Sequence, residues 1–183
     1  MSDTRLRAAF RLYELAWAAA IPFLARNKRL REGFAQRTLA EDPPAKTDLW
    51  IQAASAGEAN LAFEIVKRFA AAPPPPFGPK RPLRVLVTTN TTQGLDTLSR
   101  AGEAVLPGAP LLMRSAYMPF DRPSLVERAV QSAYPRVAVL LETELWPGFM
   151  AAIRRIGARL LVLNARMTAK SLGGYLALGG LLR

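Results

Sequence analysis

The sequence predicts an α/β fold: a Rossmann-like parallel sheet with helices on both faces. Two observations predict it. Short, continuously apolar segments alternate with segments of helical periodicity, and polar turn residues follow each apolar segment. Strands buried on both faces of a parallel sheet have such continuous apolar sequences, whereas half-exposed strands alternate. A chain of 183 residues, half of them apolar, is long enough for one domain with its own core.

Five strands and five helices are expected between residues 45 and 183. The strands are expected at 48–54, 83–90, within 110–120, at 136–142 and at 159–164. The helices are expected at 57–71, 92–101, 122–133, 147–158 and from Thr168 to the end. Pro123 and Pro147 suit first helical turns, where no backbone N–H is needed. The proline-rich stretch 71–82 favours a stiff surface connection, with binding to a proline-recognition partner as an alternative.

Residues 1–40 form a separate basic and apolar segment. They hold eight basic and three acidic residues around an uncharged run of eleven, from Leu15 to Ala25. A spanning helix needs roughly 20 apolar residues, so this run is short for a full crossing. The pattern predicts a membrane-associating helix on an anionic lipid surface. The alternative is an ordinary helix packed on the domain with its charged ends in solvent.

Composition excludes several kinds of chemistry. The chain has neither cysteine nor histidine, so disulfides, thiolate sites, His-based triads and His-ligated zinc are ruled out. Acid–base chemistry is left to carboxylates, Lys or Tyr. The net charge of +11 suits anionic partners. Nucleic acid is not expected among them, because no RNA- or DNA-binding motif is present.

Polar residues follow every predicted strand. Because ligands of open parallel sheets bind beyond the carboxyl ends of the strands, one edge of the sheet collects these turns. Neither a Gly-rich dinucleotide fingerprint nor a phosphate-binding Walker loop is present. The turn residues predicted to contact a substrate are Ser55, Gly57, Thr88, Thr89, Thr91, Thr92, Asp121, Glu142, Asn164 and Arg166.

Glu58 has two interpretations. Ser55 and Glu58 stand three residues apart at the start of a helical pattern, as in a capping box. A carboxylate in a first helical turn is also favoured as the anion, and at the mouth of a crevice it is a candidate general base. Gly57 would let a ligand approach closely.

Glu142 and Glu144 follow the apolar strand 136–142, where carboxylates need partners or solvent. Taken singly, each of these turns is explained by capping or packing. Two acidic turns at the same crevice, after the first and the fourth strand, indicate a site.

Four motifs resemble, in order and spacing, the N-terminal half of the 3-deoxy-D-manno-octulosonic acid (Kdo) transferases. They are IQAASAGEANLA, VLVTTNTTQG, YMPFDRPSLVERAVQSAYPRVAVLLETELWP and LLVLNARMTAKSLGGY, and together they run from about Asp48 to Tyr175. The basic, apolar N-terminus also resembles the membrane anchor of that family.

The resemblance implies a two-domain GT-B glycosyltransferase without a metal cofactor, at the cytoplasmic face of the inner membrane. Residues 45–183 would bind the lipid A precursor, and a second domain would bind the donor CMP-Kdo. Glu58 would be the base of an inverting transfer, and Glu144 would orient Glu58 or the acceptor. The Thr88–Thr92 turn and Arg166 would contact the acceptor, Arg166 at a phosphate.

The donor-binding domain is absent from the 183 residues, so this chain alone is not expected to transfer Kdo. A non-catalytic Rossmann-like binding module on the membrane surface, with Glu58 as a cap only, is the alternative.

Overall fold

A computed structural model describes residues 3–72, 81–105, 110–142 and 146–165. The described residues form seven helices and five strands. The helices are α1 (Asp3–Leu24), α2 (Lys28–Arg31), α3 (Phe34–Thr38), α4 (Ala56–Ala71), α5 (Thr92–Val105), α6 (Pro123–Ala133) and α7 (Pro147–Arg155). The strands are β1 (Leu49–Ala53), β2 (Leu83–Thr89), β3 (Leu111–Tyr117), β4 (Val137–Leu141) and β5 (Arg159–Leu163).

The five strands form one parallel sheet in the order β3-β2-β1-β4-β5. The predicted fold class and all five strands are therefore confirmed. The chain builds the sheet outward from β1 to β3, then returns across it to place β4 on the other side of β1. This reversal makes the gap between β1 and β4 the topological switch point of the sheet, where open α/β folds bind ligands.

Alternate residues of each strand enter two separate cores. Ile51, Val87 and Leu141 pack beneath α4 and α5 on one face. On the other face, Trp50 lies beneath α6 and α7 and meets Phe149 edge to face, with ring centroids 5.0 Å apart. Because both faces are covered, the central strands carry apolar side chains on both sides along most of their length, which is the pattern that predicted them.

The helices end close to their predicted limits, with two differences. Helix α5 continues to Val105, four residues beyond the predicted end. Helix α7 ends at Arg155 rather than at 158 because Gly157 adopts a left-handed backbone (φ +72°) and terminates it. The proline-rich residues 73–80 and the helix predicted from Thr168 lie outside the described residues.

Helix α1 packs one side against the domain. Trp17 stacks on Phe120 with ring centroids 5.7 Å apart, and the Tyr13 hydroxyl donates to Asp121. None of the helices in the described part of the chain combines the length and apolar composition that a membrane crossing requires. The short helices α2 and α3, which the sequence pattern did not predict, connect α1 to β1.

Candidate functional site

The turns after β1 and β4 flank the switch point. The two strands pair directly, with Gln52 in register with Leu140, so both turns leave the sheet side by side. The chain then diverges, because α4 packs on one face and α7 on the other. Residues 54–58 and Glu142 therefore lie on either side of the switch point at the carboxyl edge of the sheet.

Ser55 caps α4 as predicted, but Glu58 does not complete the capping box, because its carboxylate accepts from the Ala54 N–H and the Ser55 hydroxyl instead of the Ser55 N–H. The Ser55 hydroxyl accepts from the Glu58 backbone N–H at 3.3 Å and donates to Glu58 Oε1 at 2.9 Å. The other carboxylate oxygen, Oε2, accepts from the Ala54 N–H at 2.7 Å. Glu58 is only 6% exposed, whereas Ser55 and Gly57 beside it are exposed. The carboxylate is thus held in one orientation at the switch point.

Gly57 leaves open space in this turn. A Cβ placed there would have one neighbour within 4 Å, the Ser55 Oγ at 3.8 Å. Packing within the described protein therefore does not require glycine at this position.

The four predicted threonines lie around the carboxyl end of β2: Thr88 and Thr89 end the strand, Thr91 lies in the turn and Thr92 begins α5. Thr88 is buried, donating to Gln52 Oε1 at 2.5 Å and accepting from Trp50 Nε1 at 2.8 Å. Thr91 Oγ1 accepts from the Gly94 N–H at 3.1 Å and caps α5. Thr92 Oγ1 contacts Glu32 Oε2 and the Tyr117 hydroxyl, each at 3.1 Å.

Thr89 differs from its neighbours because its buried Oγ1 has no hydrogen-bond partner among the described residues. Gly94 makes room for it, since a Cβ at Gly94 would lie 2.3 Å from that oxygen. Of the four threonines, Thr88 is fully engaged inside the protein, while Thr91 and Thr92 are only partly buried. Their predicted substrate contacts stay predictions.

Asp121 is fully buried and caps α7 from a distant loop. Its Oδ2 accepts from the Tyr13 hydroxyl and from the Gly148 N–H, both at 2.9 Å, and its Oδ1 accepts from the Phe149 N–H at 2.7 Å. Burial raises the pKa of Asp121 to about 6, although all three hydrogen bonds oppose the shift. The geometry gives Asp121 a structural role, and its predicted contact with a substrate is untested.

Glu142 and Asn164 immediately follow the neighbouring strands β4 and β5. They follow the register pair Leu141 and Leu163, and the Glu142 N–H donates to the Leu163 carbonyl at 2.8 Å. Both have left-handed backbones, with φ of +61° and +56°. Asn adopts this conformation readily, whereas Glu rarely does, so strain is concentrated at Glu142.

Glu144 and Arg166, both predicted site residues, lie outside the described residues. Trp146, which immediately precedes α7, is described, and its buried indole N–H has no partner in the described ranges. Those ranges also contain no group of three or more carboxylates that could hold a metal ion.

Arg37 is a buried cation that sequence reasoning did not identify. It is 2% exposed, its guanidinium lies 4.3 Å from the centre of the Tyr117 ring, and it donates to the Asn90 carbonyl at 2.8 Å. Burial lowers the pKa of Arg37 from its usual value. It therefore supports the turn after β2. Among eight basic residues in a charged segment, no local pattern distinguishes it.

A groove of about 580 Å³ between α4 and α5 opens beside this edge. It begins at Asn60, two residues after Glu58, and continues along α5. Five of its seven lining residues are polar, and the lining comprises Asn60, Phe63, Gln93, Asp96, Thr97, Arg100 and Ala101.

Comparison with known proteins identifies relatives. The family model described as 3-deoxy-D-manno-octulosonic-acid transferase (kdotransferase) matches residues 26–183. The chain is 31% identical to the 3-deoxy-D-manno-octulosonic acid transferase of Bordetella pertussis over 129 residues, covering 70% of this chain and 28% of that protein.

Two further relatives show the same partial coverage. The Haemophilus influenzae 3-deoxy-D-manno-octulosonic acid transferase is 27% identical over 150 residues, which are 81% of this chain and 31% of that protein. A bifunctional glycosyltransferase/methyltransferase of Fusobacterium nucleatum is 26% identical over 157 residues, 86% of this chain and 22% of that protein. The chain thus matches less than a third of the length of each of these relatives.

Proposed function

The chain belongs to the 3-deoxy-D-manno-octulosonic-acid transferase family, and we propose that it is the acceptor-binding domain of a two-domain GT-B glycosyltransferase. The complete enzyme transfers Kdo from CMP-Kdo to a lipid A precursor during lipopolysaccharide assembly. A second domain, outside these 183 residues, binds most of CMP-Kdo. Residues 1–40 hold the enzyme on the cytoplasmic face of the inner membrane.

The position of Glu58 carries this proposal. Its carboxylate lies in the first turn of α4 beside the switch point, and two donors fix its orientation. Each carboxylate oxygen has a further lone pair that the Ala54 and Ser55 hydrogen bonds do not use. A fixed carboxylate at the carboxyl edge of a parallel sheet is suited to receive a proton from a bound hydroxyl.

In the proposed reaction, Glu58 removes the proton from a glucosamine hydroxyl of the acceptor. The resulting oxygen nucleophile attacks the anomeric carbon of Kdo as the bond to CMP breaks, and the anomeric configuration inverts. A positioned general base contributes about 10²–10⁴-fold to such a step. Glu144, three residues beyond the end of β4 in the sequence, is proposed to orient Glu58 or the acceptor.

The acceptor's polar head has suitable partners along the same edge. The groove that begins at Asn60 carries amide, hydroxyl and carboxylate groups together with Arg100, which suit a phosphorylated sugar. The exposed Asn164 and the turn at Thr91 and Thr92 add hydrogen-bonding groups, and Arg166 is proposed to bind a phosphate of the acceptor.

The outward side of α1 supports membrane association. Leu12, Leu15 and Phe23 are 69%, 64% and 67% exposed, and with Ala16 and Ala19 they form one helical stripe. Basic residues lie at both ends of this stripe, including Arg5 and Arg26. An apolar stripe between cationic ends is the composition of a helix that lies in the interface of an anionic bilayer.

The second candidate is a non-catalytic binding module on the membrane surface. One observation favours it: both oxygens of Glu58 already accept hydrogen bonds from the residues around the N-cap, so stabilisation of this turn alone accounts for the residue. In that case the carboxylate stabilises α4 and takes no proton from a substrate.

A transfer assay separates the two candidates. The complete enzyme that contains this chain is incubated with CMP-Kdo and a lipid A precursor in mixed micelles, and products are identified by mass spectrometry. If the enzyme is a transferase, one or more Kdo residues should be added to the lipid, and an equal amount of CMP should be released. Tight acceptor binding without product by the folded enzyme would overturn the transferase proposal and support the binding module.

A further inference from the structure

A continuous hydrogen-bonded path joins α1 to the start of α7. The Tyr13 hydroxyl donates to Asp121 Oδ2 at 2.9 Å, and the two Asp121 oxygens accept from the Gly148 and Phe149 N–H groups at 2.9 and 2.7 Å. Tyr13 and Asp121 are 108 residues apart, and Asp121 and Gly148 are 27 apart. One buried side chain thus connects three distant segments.

Helix α7 depends on this carboxylate for its cap. Its N-cap residue, Trp146, makes no side-chain capping hydrogen bond, so the first N–H groups of the helix need another acceptor. Asp121 supplies it. The fit is close, because a Cβ at Gly148 would lie 2.8 Å from both the backbone oxygen and Oδ1 of Asp121.

A second set of contacts joins α1 to the same loop. The Glu14 carboxylate accepts from Arg122 Nε, from the Ser124 N–H at 2.9 Å and from the Ser124 hydroxyl at 2.8 Å. Trp17 stacks on Phe120. The loop that carries Asp121 is therefore held between α1 and the first turns of α6 and α7.

On the basis of the proposed function, we infer that Tyr13 and Asp121 are positioning residues for the acceptor site. Through their hydrogen bond, the docking of α1 on the domain determines where α7 begins at the carboxyl edge of the sheet, next to the switch point. The helix proposed to lie on the membrane and the edge of the sheet proposed to bind the lipid acceptor are then mechanically connected through the start of α7. Neither residue touches the reacting atoms.

Tyr13→Phe tests this inference, since it keeps the packed ring and removes only the hydroxyl. Amide hydrogen exchange at Gly148 and Phe149 should become about tenfold faster, which corresponds to about 1.4 kcal/mol. Tyr134→Phe, an exposed tyrosine just beyond the C-terminal end of α6, is the matched control and should leave both amides unchanged. Unchanged exchange at both amides in Tyr13→Phe would overturn the inference.

Kinetics of the complete enzyme provide the second readout. We expect Tyr13→Phe to raise KM for the lipid acceptor about tenfold and to leave KM for CMP-Kdo unchanged. A purely structural role would reduce the amount of folded enzyme, lowering apparent kcat without moving either KM, and that result would also overturn the inference. If the wild type transfers no Kdo, the proposed function fails, while the exchange measurement still tests the connection from α1 to α7.

Discussion

The Ser55 hydroxyl and the Glu58 carboxylate satisfy one another across the first turn of α4. The hydroxyl donates to Oε1 at 2.9 Å and accepts from the Glu58 N–H at 3.3 Å. This pair gives α4 its N-terminal cap and orients the proposed base. Capping and base catalysis therefore depend on the same geometry. A substitution that keeps one of these two functions and removes the other can distinguish them.

Ser55→Ala removes the cap but keeps the Glu58 charge. We expect the free energy of unfolding to fall by about 1 kcal/mol, as is typical for a lost N-cap. Urea denaturation measures the change. Ser99→Ala, at an exposed position within α5, is the control and should shift stability by less than about 0.5 kcal/mol. Equal effects of the two substitutions would contradict the assigned cap.

The buried Asp121 predicts an unusual pH dependence of stability. Its pKa is about 6 in the folded protein, above the ordinary value of 3.8. The folded state then binds the proton more tightly than the unfolded state does. The stability from this group is fully present below pH 3.8 and is lost as pH rises through about 6.

Asp121→Asn tests whether stability falls as the pH rises in this range. The variant is less stable than the wild type, because its amide has only one oxygen and must turn an NH2 group toward the Gly148 or the Phe149 N–H, each of which donates to a carboxyl oxygen of Asp121. The difference in unfolding free energy should be largest near pH 4 and narrow by on the order of 2 kcal/mol by pH 7. Comparing the two proteins at each pH removes the contributions of other groups. A difference that widens with rising pH would contradict the assignment.

For Asp48, at the amino edge of the sheet, we predict the opposite pH dependence of stability. Arg81 donates to both of its oxygens at 2.7 Å, and the Arg84 N–H donates at 2.9 Å. The hydrogen bonds from the Arg81 guanidinium are the main reason that the pKa of Asp48 lies well below its usual range. Its stabilisation is therefore present above pH 3.8 and is lost as pH falls through the lower folded value.

Asp48→Asn should accordingly flatten the loss of stability that the wild type shows below pH 4. Thermal denaturation between pH 2 and pH 7 measures this. Glu64→Gln is the control, because Glu64 pairs with Lys67 on the exposed surface of α4. Acid sensitivity that is the same in Asp48→Asn and in the wild type would contradict the prediction.

The exposed stripe of α1 predicts lipid binding. A variant with Leu12, Leu15 and Phe23 each replaced by Ser should lose most of its flotation with vesicles containing anionic lipid, because each lost apolar contact weakens insertion. Added salt should weaken wild-type binding by screening the basic ends. Leu112→Ser, an exposed leucine on β3, is the control. Equal flotation of all three proteins would contradict membrane association through α1.

The sequence predicted the features that depend on local pattern. Continuous apolar runs gave the five strands, and the spacing of three between Ser55 and Glu58 gave the cap. It could not predict that Asp121 caps α7 while binding Tyr13, because these partners are 27 and 108 residues away. The burial of Arg37 could not be predicted from the sequence either, because only the folded chain brings Tyr117 and Asn90 next to it.

Glu58→Gln in the complete enzyme tests the central claim most directly. Gln preserves the length of the side chain and can keep the hydrogen bond from Ala54, but it cannot accept a proton. Initial rates with CMP-Kdo and the lipid A precursor should fall by about 10³-fold, within the range for loss of a general base. Acceptor binding should stay within about twofold of the wild type, and stability should change by less than about 1 kcal/mol. Transfer within tenfold of the wild type would contradict Glu58 as the base.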